Sequence, residues 1–143
     1  MSGPNSLSRP LRMDVSSVKE WPDTPGVYVV WGEDSGSRPT YVGMANSLRR
    51  RWSRDHLSGQ SNRSALRRTL GTHLSLTSQK LRKPKPAYPR DVEKEITKFL
   101  NGCQIDLHVT VSAEEAAELE RVLIASLNPL LNVQRSKTQK GDN

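Results

Sequence analysis

The sequence predicts a domain of the α/β class, more narrowly α+β, with three β-strands set among amphipathic helices. Three observations predict it: two β-rich runs joined by turn residues, one strictly alternating strand, and helices announced by capping residues. A chain of 143 residues has room for one modest core, and 34% hydrophobic with 26% charged residues suits a folded domain with polar flanks.

Residues 1–20 are rich in Ser, Pro, Asn and Arg without periodicity and read as a flexible N-terminal arm. The domain itself is expected over 21–134, with 135–143 as a polar C-terminal tail. Gly26-Val27-Tyr28-Val29-Val30-Trp31 is almost wholly apolar, as for a strand covered on both faces. Gly32 to Ser37 is turn chemistry, and Pro39 to Gly43 resumes as the second arm of an antiparallel hairpin. Asn46 or Ser47 caps a short helix running to about His56 and ended by Gly59. A second helix, from about Arg63 to Leu74, turns Leu66, Leu70 and Leu74 inward. Pro84, Pro86 and Pro89 make 80–90 an extended basic loop, after which Asp91 caps a helix striped by Val92, Ile96, Phe99 and Leu100. Ile105, Leu107, Val109 and Val111 alternate with polar residues as a half-exposed strand. Ser112-Ala113-Glu114-Glu115 is a capping box opening a last helix, which runs to about Leu127 and is stopped by Pro129.

Composition narrows the function. No apolar run approaches the roughly 18–20 residues of a membrane span, and the first residues carry no apolar stretch of the signal-peptide kind. Cys103 is the only cysteine, which excludes an internal disulfide and a cysteine-built zinc site and makes a reducing cytoplasm the default. Charge is uneven: residues 44–94 hold 13 Lys/Arg against 3 Asp/Glu, whereas 95–134 hold 2 against 6. A positive block this concentrated is the footprint of a polyanion binder, although charge runs are also common on solvated helix faces.

One carboxylate stands where it should not. On the last helix Leu119, Val122, Leu123, Ile124 and Leu127 form an apolar arc, and Glu120 falls inside it. A carboxylate in that position is costly to desolvate unless it meets a cation, a metal or several donors. It is either a boundary residue paired with an arginine or a metal ligand held on a rigid helix.

The hairpin and the last helix together resemble a known family. Gly26-Val27-Tyr28, then Tyr41-Val42-Gly43, then Ser47-Leu48-Arg49-Arg50-Arg51, and finally Glu120-x-x-Leu123-Ile124-x4-Pro129-x-x-Asn132 resemble the motifs of the GIY-YIG nuclease family, in order and across about residues 25–133. The resemblance implies a three-stranded antiparallel sheet flanked by helices, with the active site on one sheet face. It implies that Tyr28 and Tyr41 are the two motif tyrosines, Arg51 the catalytic arginine, Glu120 the metal-binding glutamate and Asn132 the asparagine that steadies the site. Two positions depart from the pattern. Met44 stands where some relatives carry lysine. The family often has His or Tyr four residues after the arginine, but here Asp55 holds that place and His56 follows. Either a local bulge in the helix restores His56, or Asp55 pairs with Arg51 across one turn.

The implied chemistry is phosphodiester hydrolysis in DNA, with one Mg²⁺ (Mn²⁺ substituting) on Glu120, Arg51 facing the non-bridging oxygens, and Tyr28 as the base. A free tyrosine, with a pKa near ~10, is a weak base at neutral pH, so Arg51 and the metal must favour phenolate, or the proton must move on through Tyr41 or His56. Packing of two aromatics across a hairpin is the plain structural role of the tyrosines. Arg49, Arg50, Arg54, Arg63 and Arg67 are expected to contact phosphates, and Lys83 and Lys85 to belong to an arm ordered by DNA or to a merely solvated loop. A monomer or weak homodimer is expected. The rival reading is a non-catalytic nucleic-acid-binding module whose site has decayed at Asp55-His56.

Overall fold

In the computed structural model, which describes residues 9–33, 35–77 and 88–131, four strands form one antiparallel sheet. They are β1 (Leu11–Asp14), β2 (Gly26–Trp31), β3 (Tyr41–Ala45) and β4 (Gln104–Val109), in spatial order β1-β4-β2-β3. β2 is buried on both faces, as its unbroken apolar run requires. Its alternate residues feed two separate cores. Tyr28 and Val30, with Ile105 and Leu107 of β4, face Leu48, Trp52, Leu66, Leu70, Ile96 and Leu100. Val27 and Val29, with Val42 of β3, face Ala116, Leu119 and Leu123.

Helices therefore cover both faces. On the first lie α1 (Leu48–Arg50), which runs straight into a π-helix at Arg51–His56, then α2 (Ala65–His73) and α3 (Arg90–Asn101). On the second lies α4 (Ala113–Leu127) alone. Half of the predicted capping box of α4 forms: Ser112 Oγ accepts from Glu115 N–H at 3.1 Å, whereas Glu115 Oε1 reaches one residue past the cap and accepts from Val111 N–H at 2.8 Å. Asn128 then enters the left-handed region at φ 51° and ends the helix.

Several expectations are corrected. The sheet has four strands, not three, because residues assigned to the arm form β1 and a 3-10 helix over Val15–Glu20. β1 alternates Leu11 and Met13 with Arg12 and Asp14, a run of four residues too short to mark a strand by itself. It is held by backbone pairing with β4 and by Arg12, which grips Asp106 at 2.7 and 2.9 Å from a position 94 residues away. α2 starts at Ala65 behind Ser64 rather than at Arg63, and α3 starts at Arg90 with Pro89 before it. Asp91 sits in the first turn of α3, where a negative charge suits the helix dipole without capping it. Most of the proline-rich basic loop, with Lys83 and Lys85, lies outside the described residues, as do Asn132 and the tail.

Candidate active site

The site begins with a glycine. In the hairpin register Tyr28 stands opposite Gly43, and a Cβ at Gly43 would lie 2.5 Å from Tyr28 Oη and 2.6 Å from Cζ. The missing side chain lets the Tyr28 ring lie down across β3. There it stacks with Tyr41, with ring centroids 6.3 Å apart and planes at 26°, and meets the edges of Trp52 at 5.4 Å and His56 at 5.3 Å. Trp52 is fully buried and touches Trp21 and His56 as well. The cluster is thus part of the core as well as the floor of a site, and its rigidity comes from that packing.

The helix after the hairpin resolves the spacing problem at Asp55 and His56. Ser47 caps α1, its Oγ accepting from Arg50 N–H and donating to the Asp23 carboxylate. From Arg51 the backbone widens to a π-helix, with Leu57 N–H bonded to Trp52 C=O at 2.8 Å. One extra residue is absorbed in that turn. Both alternatives left open by the sequence then occur together. Asp55 pairs with Arg51 at 3.2 Å on the surface, and His56 turns inward to 3% exposure. Its Nε2 lies 2.7 Å from Tyr28 Oη and its Nδ1 lies 2.7 Å from Ser64 Oγ. Burial, reinforced by the charges of Arg51 and Arg67, pushes the His56 pKa down to about 3, so the imidazole is neutral at neutral pH.

Glu120 is buried, at 6% exposure, on the face of α4 that also carries Leu119 and Leu123. The apolar-arc reading of the sequence is therefore correct about its burial. α4 lies behind the sheet face opposite Tyr28 and Tyr41, but the chain that leaves it returns around the β3 edge. Leu130 N–H donates to Pro39 C=O at 2.9 Å and Leu131 N–H to Thr40 C=O at 3.0 Å, and the Leu131 side chain packs with the Tyr28 cluster. Among the described residues no group of three or more His, Cys, Asp or Glu side chains converges as a metal cage. The Glu120 carboxylate can still serve Mg²⁺, which keeps most of its waters and takes one or two protein carboxylates.

The basic residues divide. Arg50, Arg51 and Arg54, with Asn46, Ser47 and Asp55, line a surface cavity of about 250 Å³ beside the π-helix. Arg63 is exposed, and Arg49 is half-exposed with Asp23 at 3.9 Å. Arg67 is not a surface contact. It is wholly buried, its Nη2 and Nε 2.9 and 3.1 Å from Glu93 Oε1, its Nη1 donating to His56 C=O at 3.0 Å. Arg63 is not on the same helix as Arg67, because Ser64 caps α2 and leaves Arg63 in the preceding 3-10 turn. Glu93 in turn accepts from Ser61 N–H and Oγ and from Tyr88 N–H, at 2.8 to 3.0 Å. Such a pair is tolerable in the interior because every remaining lone pair is met.

Three residues escaped the sequence reading. Glu93 had a signal, since it sits three and seven residues before Ile96 and Leu100, inside the apolar stripe of α3. Ser64 had a weaker one, as a cap residue before a helix. Arg68 had none. It is buried, bonds Ser61 C=O through Nη1 at 3.0 Å, and has its pKa lowered by burial, an effect partly offset by Tyr41 and Tyr88.

Hairpin, arginine-bearing helix and buried glutamate follow in the order of the family motifs seen in the sequence, which is the order of a catalytic domain of that class. The chain belongs to the GIY-YIG catalytic domain family, whose sequence model matches residues 22–142. No curated protein matches it. Among solved structures it is similar to the GIY-YIG N-terminal endonuclease domain of UvrC from Thermotoga maritima bound to magnesium. Identity is 23% over 82% of this chain and 93% of that one, with a TM-score of 0.44. Point mutants of the same domain match alike: a Tyr-to-Phe form at 21% identity over 82% and 93%, and an Asn-to-Ala form at 22% over 82% and 92%, each with a TM-score of 0.44.

Proposed function

We propose that this domain is a metal-dependent endonuclease that hydrolyses phosphodiester bonds in DNA. The observation that carries the reading is the phenol of Tyr28, bonded at 2.7 Å to a buried neutral imidazole, in a chain of this family with an arginine-lined cavity on the same helix as that imidazole. In this reading Tyr28 takes the proton of the attacking water. His56 is a poor store for that proton, because charging it would bury an imidazolium near Arg51 and Arg67. Its role is to hold the phenol oxygen in place. Tyr41 stacks beside Tyr28 and fixes its ring plane. Arg51, exposed enough to reach a phosphate, leaves Asp55 to meet the non-bridging oxygens, where its guanidinium matches their geometry. Glu120 would hold one Mg²⁺, with Mn²⁺ as a substitute, and Asn132 would steady it. When bound, the ion supplies Lewis-acid stabilisation of the charge developing on the leaving oxygen.

Arg49, Arg50, Arg54 and Arg63, with Lys83 and Lys85, would position the backbone without reading sequence. One site per chain suits nicking by a monomer or a weak homodimer in the cytoplasm. The rival reading of a decayed binding module rested on the extra residue before His56, and a π-helix that accommodates it removes that argument. Supercoiled plasmid tests the proposal. Nicking is expected with Mg²⁺ and not with EDTA, and Glu120→Gln or Tyr28→Phe is expected to slow it by about 10²-fold or more. Purified wild type that binds DNA yet cuts neither single nor double strands with any divalent metal would return the domain to the binding class.

A further inference from the structure

The hydrogen bonds behind Tyr28 have a direction that can be deduced. Ser64 is 1% exposed, and among the described residues its Oγ has two partners, Arg67 N–H at 3.0 Å and His56 Nδ1 at 2.7 Å. The Arg67 amide can only donate, so it occupies a lone pair of the hydroxyl. The hydroxyl proton then has one acceptor within reach, Nδ1 of His56. Pointing it elsewhere would leave a buried donor unsatisfied, which interiors avoid. A neutral imidazole carries one proton, and if Nδ1 accepts, that proton sits on Nε2. Nε2 in turn faces Tyr28 Oη at 2.7 Å.

We propose that Ser64 is a positioning residue that fixes His56 as the Nε2–H tautomer, so that Tyr28 Oη accepts a hydrogen bond from the imidazole and turns its own proton away from it. The chain runs one way, from the first turn of α2 through Ser64 and His56 to the phenol. Its consequence for the nuclease reading, on which this second half rests, is direct. The phenol proton leaves to a solvent water or hydroxide on the side away from His56. The phenolate keeps the bond from Nε2–H and takes the proton of the attacking water, and no proton crosses to His56. The depressed basicity of His56 is then useful, because it prevents the imidazole from drawing the proton back.

The first half is tested without any assay of cutting. In uniformly ¹⁵N-labelled full-length protein, long-range proton–nitrogen correlation of the His56 ring should give the Nε2–H pattern at neutral pH. An Nδ1–H or doubly protonated ring overturns the proposal. Three variants test the second half: Thr and Asp cap helices as Ser does, and Ala removes the cap together with the hydroxyl. Ser64→Thr keeps a donor and should preserve both the tautomer and the rate. Ser64→Asp keeps the cap but offers only acceptors, and Ser64→Ala offers nothing. Both should lose the Nε2–H pattern and drop kcat about tenfold or more with KM little changed. A Ser64→Asp protein that loses that pattern and still nicks at the wild-type kcat overturns the catalytic half and leaves the tautomer standing. If wild type never nicks, the ring spectrum still decides the first half, so failure of the nuclease reading and failure of this inference remain distinguishable.

Discussion

His56 is the residue whose state reports on the whole site. Its ordinary pKa is 6.5, and in the folded protein it is pushed to about 3. Between those values the unfolded chain binds a proton that the folded chain refuses, so stability rises with pH through that window. The contribution is fully present above pH 6.5 and is lost as pH falls toward 3, reaching on the order of 2 kcal/mol by mid-window. Urea unfolding at pH 7 and at pH 4.5 should show that loss, and His56→Gln should flatten the difference. An equal slope in the variant would mean the imidazole is not the group that titrates. Residues of this kind were partly legible in the sequence. Glu120 was, because a carboxylate inside an apolar arc is conspicuous, and Glu93 obeys the same rule on α3. Ser64 was not, because its meaning depends on an imidazole eight residues earlier that local spacing does not bring near.

At the scale of elements, helices and the hairpin follow from local signals; helix ends deviate where the cap lies one or two residues from the expected one, and β3 runs over Tyr41–Ala45 rather than from Pro39 to Gly43. β1 and the π-helix do not follow from local signals. β1 has a mostly exposed four-residue sequence and owes its place to pairing with a strand far along the chain. The π-helix is one residue too many in a turn whose inward end, His56, is held by Tyr28 and Ser64 from outside it. Deleting Asp55 should therefore return this turn to ordinary α geometry with His56 still on Tyr28. It removes a half-exposed ion pair worth at most about 1 kcal/mol, and urea unfolding should shift by no more than that. A deletion variant that fails to fold would show that the wide turn is needed for the architecture itself.

Across the whole molecule, the sheet divides labour between its faces. One face holds the aromatic site under three helices, and the other is sealed by α4. Charge is divided in a similar way, between exposed arginines around a cavity and the interior pair of Arg67 and Glu93. Binding to DNA should weaken with salt, and Arg50→Ala or Arg54→Ala should reduce the slope of log affinity against log salt by about 1. Arg67→Met should leave that slope alone and instead cost about 3–5 kcal/mol of stability, by stranding a carboxylate in the core. A changed slope in Arg67→Met would place its guanidinium at the surface after all. Because the Arg67 side chain has no exposure to solvent, dissolved ions do not reach it to screen the attraction. Strong brine should for that reason strip clinging polyanions from a preparation while the interior stays clamped, and cutting should come back on simple dilution, with no refolding step.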